Sequence, residues 1–178
     1  MKKTGFFVLL SSMIAIGLAG LLTGCVAMPI KEYRPPVKTN EIFIGEIKIF
    51  KDIKVGMSGI KNIGTPAVND PYYQEVAREY NVNLKTKLER NRFTVVEQAT
   101  PRSLIIKTKI GDYPPPLGGW LGIMAMGYVG AQVEIYYNNE LILTFEEGVN
   151  TGLGFQAKSQ IKRHIVPRIV KKLSERFL

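Results

Sequence analysis

The first 25 residues constrain this chain most, because they separate an export segment from the part that folds. Lys2 and Lys3 give a positively charged start, and the apolar run Phe6–Leu22 that follows contains no charged residue. This layout is typical of a secretory signal, which is not part of the mature fold. Removing residues 1–24 from the 178-residue chain leaves 154 residues, which suits one domain.

The end of the apolar run carries a more specific pattern. Leu22-Thr23-Gly24-Cys25 resembles the lipobox of bacterial lipoproteins, in which a leucine and two small residues precede a cysteine. The resemblance implies cleavage before Cys25, a diacylglyceryl group on its thiol and a fatty acyl chain, such as palmitate, on its new amino group. Two or more chains hold a protein stably on a bilayer. The alternatives are an uncleaved signal anchor and a secreted protein with a chance cysteine.

The cysteine count agrees with lipid attachment at Cys25. The chain has 1 Cys, so no disulfide can form within one molecule, and an exported protein would otherwise carry an odd free thiol. The resemblance also implies a location in the cell, since aspartate after the cysteine tends to retain such lipoproteins in the inner membrane. Here Val26 follows Cys25, so the periplasmic face of the outer membrane is expected if the source has two membranes.

Residues 25–40 are predicted to be a tether. They show no strand or helix periodicity and contain Pro29, Pro35 and Pro36, which favour extended polyproline II structure. At about 3.1 Å per residue, such a segment could hold the domain up to roughly 45 Å from the bilayer. The folded domain is then predicted to comprise residues 41–178.

The hydrophobic pattern after residue 40 predicts an α+β domain. Apolar and β-branched residues predict five strands, at residues 41–55, 93–97, 103–110, 132–137 and 141–147. In the first strand, alternation places Phe43, Ile47 and Ile49 on the buried side. Asn138-Asn139 is predicted to form a hairpin turn, because asparagine accepts positive φ.

Two helices complete the predicted fold. The first has Asn69 or Asp70 as its cap, Pro71 in its first turn and Asn91 at its end. Its predicted buried stripe consists of Val76, Ala77, Tyr80, Leu84 and Leu88. The second has apolar residues at every fourth position, namely Ala157, Ile161, Ile165, Ile169, Leu173 and Phe177. We expect a kink or restart at Pro167. A single antiparallel or mixed sheet of about five strands with both helices on one face would bury these apolar surfaces.

The order of these elements over residues 41–147 is similar to the small α/β domains of envelope lipoproteins. A long strand, a helix ending before the strand that begins Phe93-Thr94-Val95-Val96, and a meander also occur in the amino-terminal domain of TolB and in the curli-secretion lipoprotein. The similarity rests on order and pattern without a diagnostic motif, so it assigns no functional residue.

The segment 117–131 contains no charged residue, yet it is shorter than the roughly 20 residues that a membrane-spanning helix needs. Read as a strand, it is apolar on both faces. It is therefore either a central strand or loop in the core, or an adaptable apolar surface that contacts a partner or the membrane. In the second case Trp120, Met124, Met126 and Tyr128 would form the contact.

The whole chain carries a net charge of +9, and its basic residues concentrate at the C-terminal end. Seven basic residues and only Glu175 as an acid lie between Lys158 and Leu178. They form either a solvated helix face or a contact for anionic lipid or acidic glycan. The candidate anion contacts are Lys158, Lys162, Arg163, Lys171 and Lys172.

The sequence offers few groups for catalysis. The single histidine, His164, lies among basic residues with no carboxylate to orient it, and no zinc spacing, phosphate loop or nucleophile elbow occurs. We therefore expect a protein that is not an enzyme and needs no cofactor, metal or nucleic acid.

The sequence thus favours an accessory or assembly lipoprotein of the envelope that binds another envelope protein. The alternative is a lipid- or glycan-binding lipoprotein that uses residues 117–131 and the basic helix. The oligomeric state stays open.

Overall fold

The structure is a computed structural model that describes residues 30–51, 54–56, 59–62, 64–113, 127–152 and 157–178. The predicted signal, Cys25 and residues 117–126 lie outside this range. The strands are β1 (Lys31–Glu32), β2 (Glu41–Lys51), β3 (Lys54–Gly56), β4 (Gly59–Asn62), β5 (Thr65–Pro66), β6 (Thr94–Val96), β7 (Leu104–Tyr113), β8 (Gly127–Tyr137) and β9 (Glu140–Gly152). The helical segments are α1 (Pro71–Arg90), α2 (Ala157–Gln160), a π turn (Ile161–Ile165) and α3 (Val166–Phe177).

Seven of the described strands form one mixed sheet. Their order is β1-β9-β8-β7-β2-β5, and β6 also pairs with β2. Strands β7, β8 and β9 are antiparallel, whereas β2 runs parallel to β6 and β7. The remaining pair, β3 and β4, forms a small hairpin. The predicted α+β fold is confirmed; the additional strands β1 and β5 have two residues each, which is too short to show alternation.

Strand β2 changes its buried side at a bulge. Its register with β7 shifts between Ile44 and Ile47. Ile42 is fully buried before the shift, and Ile49 is buried after it. The prediction that Phe43 shares a buried side with Ile49 is wrong, because one extra residue in a bulge reverses the alternation beyond it.

Helix α1 begins and packs as predicted. The Asp70 carboxylate accepts a hydrogen bond from the Tyr72 backbone N–H at 3.0 Å, which satisfies one donor left over at a helix start. The buried stripe consists of Tyr73, Val76, Tyr80, Leu84 and Leu88. Inside the core, the Tyr80 hydroxyl and Thr108 Oγ1 are hydrogen-bonded at 3.0 Å, which ties the helix to β7.

Two turns show where asparagine is used and where it is not. The helix ends at Asn91 as predicted, but Arg92, with φ 70°, adopts the left-handed conformation, while Asn91 has φ −103°. In the β8–β9 hairpin, Asn138 and Asn139 have φ of 49° and 63°. The hairpin prediction and its physical reason are both confirmed.

The C-terminal helix, comprising α2, the π turn and α3, buries the predicted stripe at Ile161, Ile165, Ile169, Leu173 and Phe177. Residues four apart overshoot a full α-helical turn of 3.6 residues, so a strict spacing of four drifts around the helix. The wider π turn, closed by a hydrogen bond from the Val166 N–H to the Ile161 carbonyl, offsets that drift. The expected irregularity therefore lies just before Pro167.

The residues before β2 are attached to the domain. Lys31 lies opposite Thr144 in the β1–β9 pairing, and the Tyr33 N–H donates to the Ile142 carbonyl at 3.0 Å. The Thr39 N–H also donates to the Phe177 carbonyl at 3.2 Å. The prediction of a tether over residues 25–40 is therefore wrong from residue 30 onward, because long-range pairing with β9 holds it. Only residues 25–29, about 17 Å when extended, separate Ile30 from the start of the predicted mature chain.

Candidate interaction surfaces

Three of the five predicted anion contacts are paired with acids. Lys158 Nζ lies 3.7 Å from Glu75 Oε1, and Lys171 Nζ lies 3.8 Å from Glu175 Oε1. Lys172 Nζ lies 2.6 Å from Glu147 Oε1. These three lysines thus lie beside three different carboxylates.

Lys162 and Arg163 are the two candidate contacts that have no acidic partner among the described residues. Both are exposed in the π turn, as is the neighbouring His164. The ion pairs of the helix involve other basic residues, and within the described part of the chain no acid pairs with Lys162 or Arg163. The predicted five-residue patch is thus reduced to two adjacent cations with a histidine beside them.

Glu147 is a buried charge that the sequence analysis overlooked. Its side chain is 2% exposed and contacts Lys172 at 2.6 Å and Arg168 Nη1 at 3.9 Å. The Lys172 ammonium also lies 5.0 Å from the centre of the Phe145 ring. Glu147 lies two positions after the buried Phe145 on β9, so the alternation of the strand places both on the same, buried side. This alternation could have revealed the burial of Glu147 from the sequence. The cluster attaches α3 to β9.

Tyr128 belongs to the interior. It is 3% exposed, and its ring lies so close to Gly148 that a Cβ there would be 2.4 Å from Tyr128 Cζ. A Cβ at Gly130 would be 2.7 Å from the same ring. The surface-contact hypothesis therefore fails for Tyr128, because glycines on its own strand, β8, and on β9 leave space for its ring. Trp120, Met124 and Met126 lie outside the described residues.

The Tyr128 hydroxyl has no hydrogen-bond partner within the described parts of the chain. Burial, with smaller contributions from the negative charges of Glu146 and Glu147, raises the pKa of Tyr128 to about 12. An unpartnered hydroxyl in the interior is an unfavourable contact, so Tyr128 contributes through its ring.

A polar network lies on the sheet face opposite the helices. Glu134 accepts hydrogen bonds from Lys109 Nζ at 2.6 Å and from the Tyr136 hydroxyl at 3.0 Å. These bonds lower the pKa of Glu134 although burial opposes the shift. Lys107 Nζ lies 4.7 Å from the centre of the Tyr136 ring. The groups satisfy one another, so the network fits a solvated sheet face.

The edge of β2 that faces away from β7 is not covered along the middle of the strand by any described strand. Strand β6 pairs with Glu41–Phe43 and β5 pairs with Phe50–Lys51, whereas no strand among the described residues covers this edge of β2 at residues 44–48. Beside it, a groove of about 600 Å³ lies between β2 and the start of α1. Its lining is mostly apolar and consists of Glu46, Ile47, Lys48, Ile49, Phe50, Pro66, Ala67, Val68, Tyr73, Gln74 and Ala77.

The described ranges contain neither a metal-binding group of side chains nor a helix suited to cross a membrane. No group of three or more His, Cys, Asp or Glu side chains there is arranged to hold a metal ion. None of the helices described has the length and hydrophobicity required to cross a membrane.

Comparisons with known proteins give a distant likeness in structure alone. No protein-family model matches the chain, and no curated protein matches it. A PelC dodecamer from Paraburkholderia phytofirmans is similar at a TM-score of 0.46 and 10% identity, over 84% of this chain and 99% of that one. A protein from Helicobacter pylori described as a neuraminyllactose-binding hemagglutinin homolog has a TM-score of 0.44 and 14% identity, over 82% and 88% of the two chains. At these scores the likeness carries no functional argument.

Proposed function

We propose that this chain is a lipoprotein of the bacterial envelope, attached to the bilayer through Cys25, whose domain binds another envelope protein without catalysis. The signal-like start and the lipobox-like sequence before the chain's 1 Cys support attachment. The pairing of β1 with β9 supports a short connection between the lipid and the domain. In the proposed mature protein, only residues 25–29 lie between the lipid-bearing start and the part of the chain that is attached to β9. The outer membrane is the proposed location, because Val26 and not an aspartate follows Cys25.

The observation that carries the binding proposal is the open edge of β2 beside an apolar groove. An uncovered strand edge offers backbone N–H and C=O groups to an added strand, and pockets for alternate side chains give such pairing its specificity. Ile47 and Ile49 line the groove beside this edge. The partner we propose is therefore an extended segment of another envelope protein, with apolar side chains at every second position.

The alternative of a lipid- or glycan-binding protein receives less support. It requires a pocket beside Trp120 and Tyr128 together with a basic helix face that binds anions. Tyr128 is buried, and Lys158, Lys171 and Lys172 already pair with acids. The side chain of Tyr128 is therefore not on the surface, and three of the five lysine and arginine residues that the alternative requires already contact acids.

Site-specific photo-cross-linking in intact cells tests the binding proposal. A photoreactive amino acid replaces Gln74, which is exposed and lines the groove. We expect one discrete product with an envelope protein, joined at an extended apolar segment. Val68→Glu, at a residue of the groove that is 71% exposed, should remove the product.

The matched control is Val82→Glu, which puts the same charge on a residue of α1 that is 53% exposed and does not line the groove. We expect this variant to keep the cross-link. An absent product, or one that survives Val68→Glu as well as it survives Val82→Glu, would reject the β2 edge as the binding site.

A further inference from the structure

We propose that the π turn, through Lys162 and Arg163, is the part of the domain that rests on the anionic head groups of the bilayer. Ile161 and Ile165 at its two ends are buried in the core. The three residues between them, Lys162, Arg163 and His164, are all exposed. The turn thus presents consecutive basic side chains between two residues that are buried in the core.

The charge of this turn is available for an external partner. Elsewhere on the same helix, Arg168 and Lys172 face Glu147, and Arg176 forms an ion pair with Glu32. Lys162 and Arg163 have no such acid among the residues that the structure describes. A basic cluster near a membrane is attracted by anionic lipids by about 1 kcal/mol for each lysine or arginine.

The position of the turn agrees with membrane contact, on the assumption of the proposed lipid attachment at Cys25. Strand β1 is antiparallel to β9, so the chain direction from Glu32 back through Ile30 is toward the Gly152 end of β9. The π turn packs against β8 and β9, and α2, which precedes it, contacts β9. Because residues 25–29 span at most about 17 Å, the lipid anchor would hold this half of the domain close to the bilayer.

A spin label can report the contact in the full-length, acylated protein reconstituted in vesicles. Since Cys25 is the 1 Cys of the chain and its thiol would be blocked by lipid, His164→Cys gives a single labelling site in the π turn. Thr86→Cys gives an exposed reference site on α1. Power saturation with water-soluble and lipid-bound relaxation agents then gives the ratio of membrane-contacting to water-exposed label.

In vesicles containing phosphatidylglycerol, we expect membrane contact at position 164 and none at position 86. Lys162→Gln with Arg163→Gln should lower the contact ratio by about 30-fold, which corresponds to about 1 kcal/mol for each residue. Lys85→Gln with Lys87→Gln removes the same charge from α1 and should leave the ratio unchanged. High salt should weaken the contact.

The outcomes separate this inference from the proposed attachment. If the protein floats with vesicles but position 164 stays in water, only the membrane contact of the π turn is rejected. Equal contact in phosphatidylcholine vesicles, or no response to the Lys162 and Arg163 changes, rejects the proposed contact of these two cations with anionic head groups. If the protein floats with neither vesicle, the lipid attachment fails and this inference fails with it.

Discussion

The two edges of the main sheet differ in their contacts with the rest of the chain. At β9, the chain adds β1, and α3 is fixed to β9 by the buried Glu147. At β2, the described strands cover only the two ends and leave residues 44–48 open beside an apolar groove. The first edge is attached to other parts of the chain, by β1 at Leu143 and Thr144 and by Glu147 to α3, whereas the second is where we propose that another chain binds. Changes at β9 should therefore affect stability, and changes at β2 should affect binding.

The largest effect is expected for Lys172→Met. Among the described residues it leaves the buried Glu147 carboxylate with the more distant Arg168 alone, and loss of one partner from a buried ion pair is strongly destabilising, by about 3 kcal/mol here. Chemical denaturation followed by circular dichroism measures this loss. Lys171→Met is the matched control, because its pair with Glu175 is exposed and contributes less than about 1 kcal/mol. Equal losses in the two variants would contradict the contrast.

A smaller loss is expected for Gly148→Ala on β9. The new Cβ would lie 1.9 Å from the Tyr128 hydroxyl, so the ring must move, at a cost of about 2 kcal/mol. The effect should be less than additive with Tyr128→Ala, which removes the ring. Tyr128→Phe alone should be neutral or slightly stabilising, because the hydroxyl it removes has no hydrogen-bond partner among the described residues. An additive double variant would show that Tyr128 does not lie over Gly148.

Alkaline pH should weaken the same region by an amount that grows as the pH rises above 10. The pKa of Tyr128 is raised to about 12 in the folded state, above the value of about 10 expected when the chain is unfolded. Its stabilising contribution is complete below pH 10 and is lost as the pH rises toward 12, because the unfolded chain gives up its proton first. Tyr128→Phe should reduce this fall in unfolding free energy. Burial also raises the pKa of Tyr80, so part of the fall should remain.

The smallest effect on stability is expected at the open edge. Val68→Glu changes an exposed residue of the groove, and such surface changes alter the unfolding free energy by no more than about 0.5 kcal/mol. The denaturation midpoints of Val68→Glu and Val82→Glu should therefore agree, although only Val68→Glu removes the cross-link. A clear destabilisation by Val68→Glu would show that the groove belongs to the core.

The sequence predicts those parts of the fold that depend on local pattern. Helix α1 is an example, since its cap at Asp70 and its buried stripe involve residues a few positions apart. The Asn138-Asn139 turn is another, because its two positive φ angles suit asparagine. Such features are decided by neighbours along the chain and can be read without the rest of the structure.

The parts that could not be predicted depend on distant segments. The bulge near Gly45 is defined by the register of β2 with β7, and the pairing of β1 with β9 joins residues more than a hundred positions apart. The charge pattern showed five candidate cations, but not that Glu75 and Glu147 lie beside two of them. The groove could not be predicted from the sequence, because its lining comes from β2 and from the start of α1, which are separate along the chain.

The most direct test of the account is the mass of the N-terminal peptide of the protein isolated from its native membranes. We predict a mature chain that begins at Cys25, with a diacylglyceryl group on the thiol and an acyl chain on the amino group. A peptide that retains the residues before Cys25, or a Cys25 with an unmodified thiol, would contradict lipid attachment and the membrane-proximal position that depends on it.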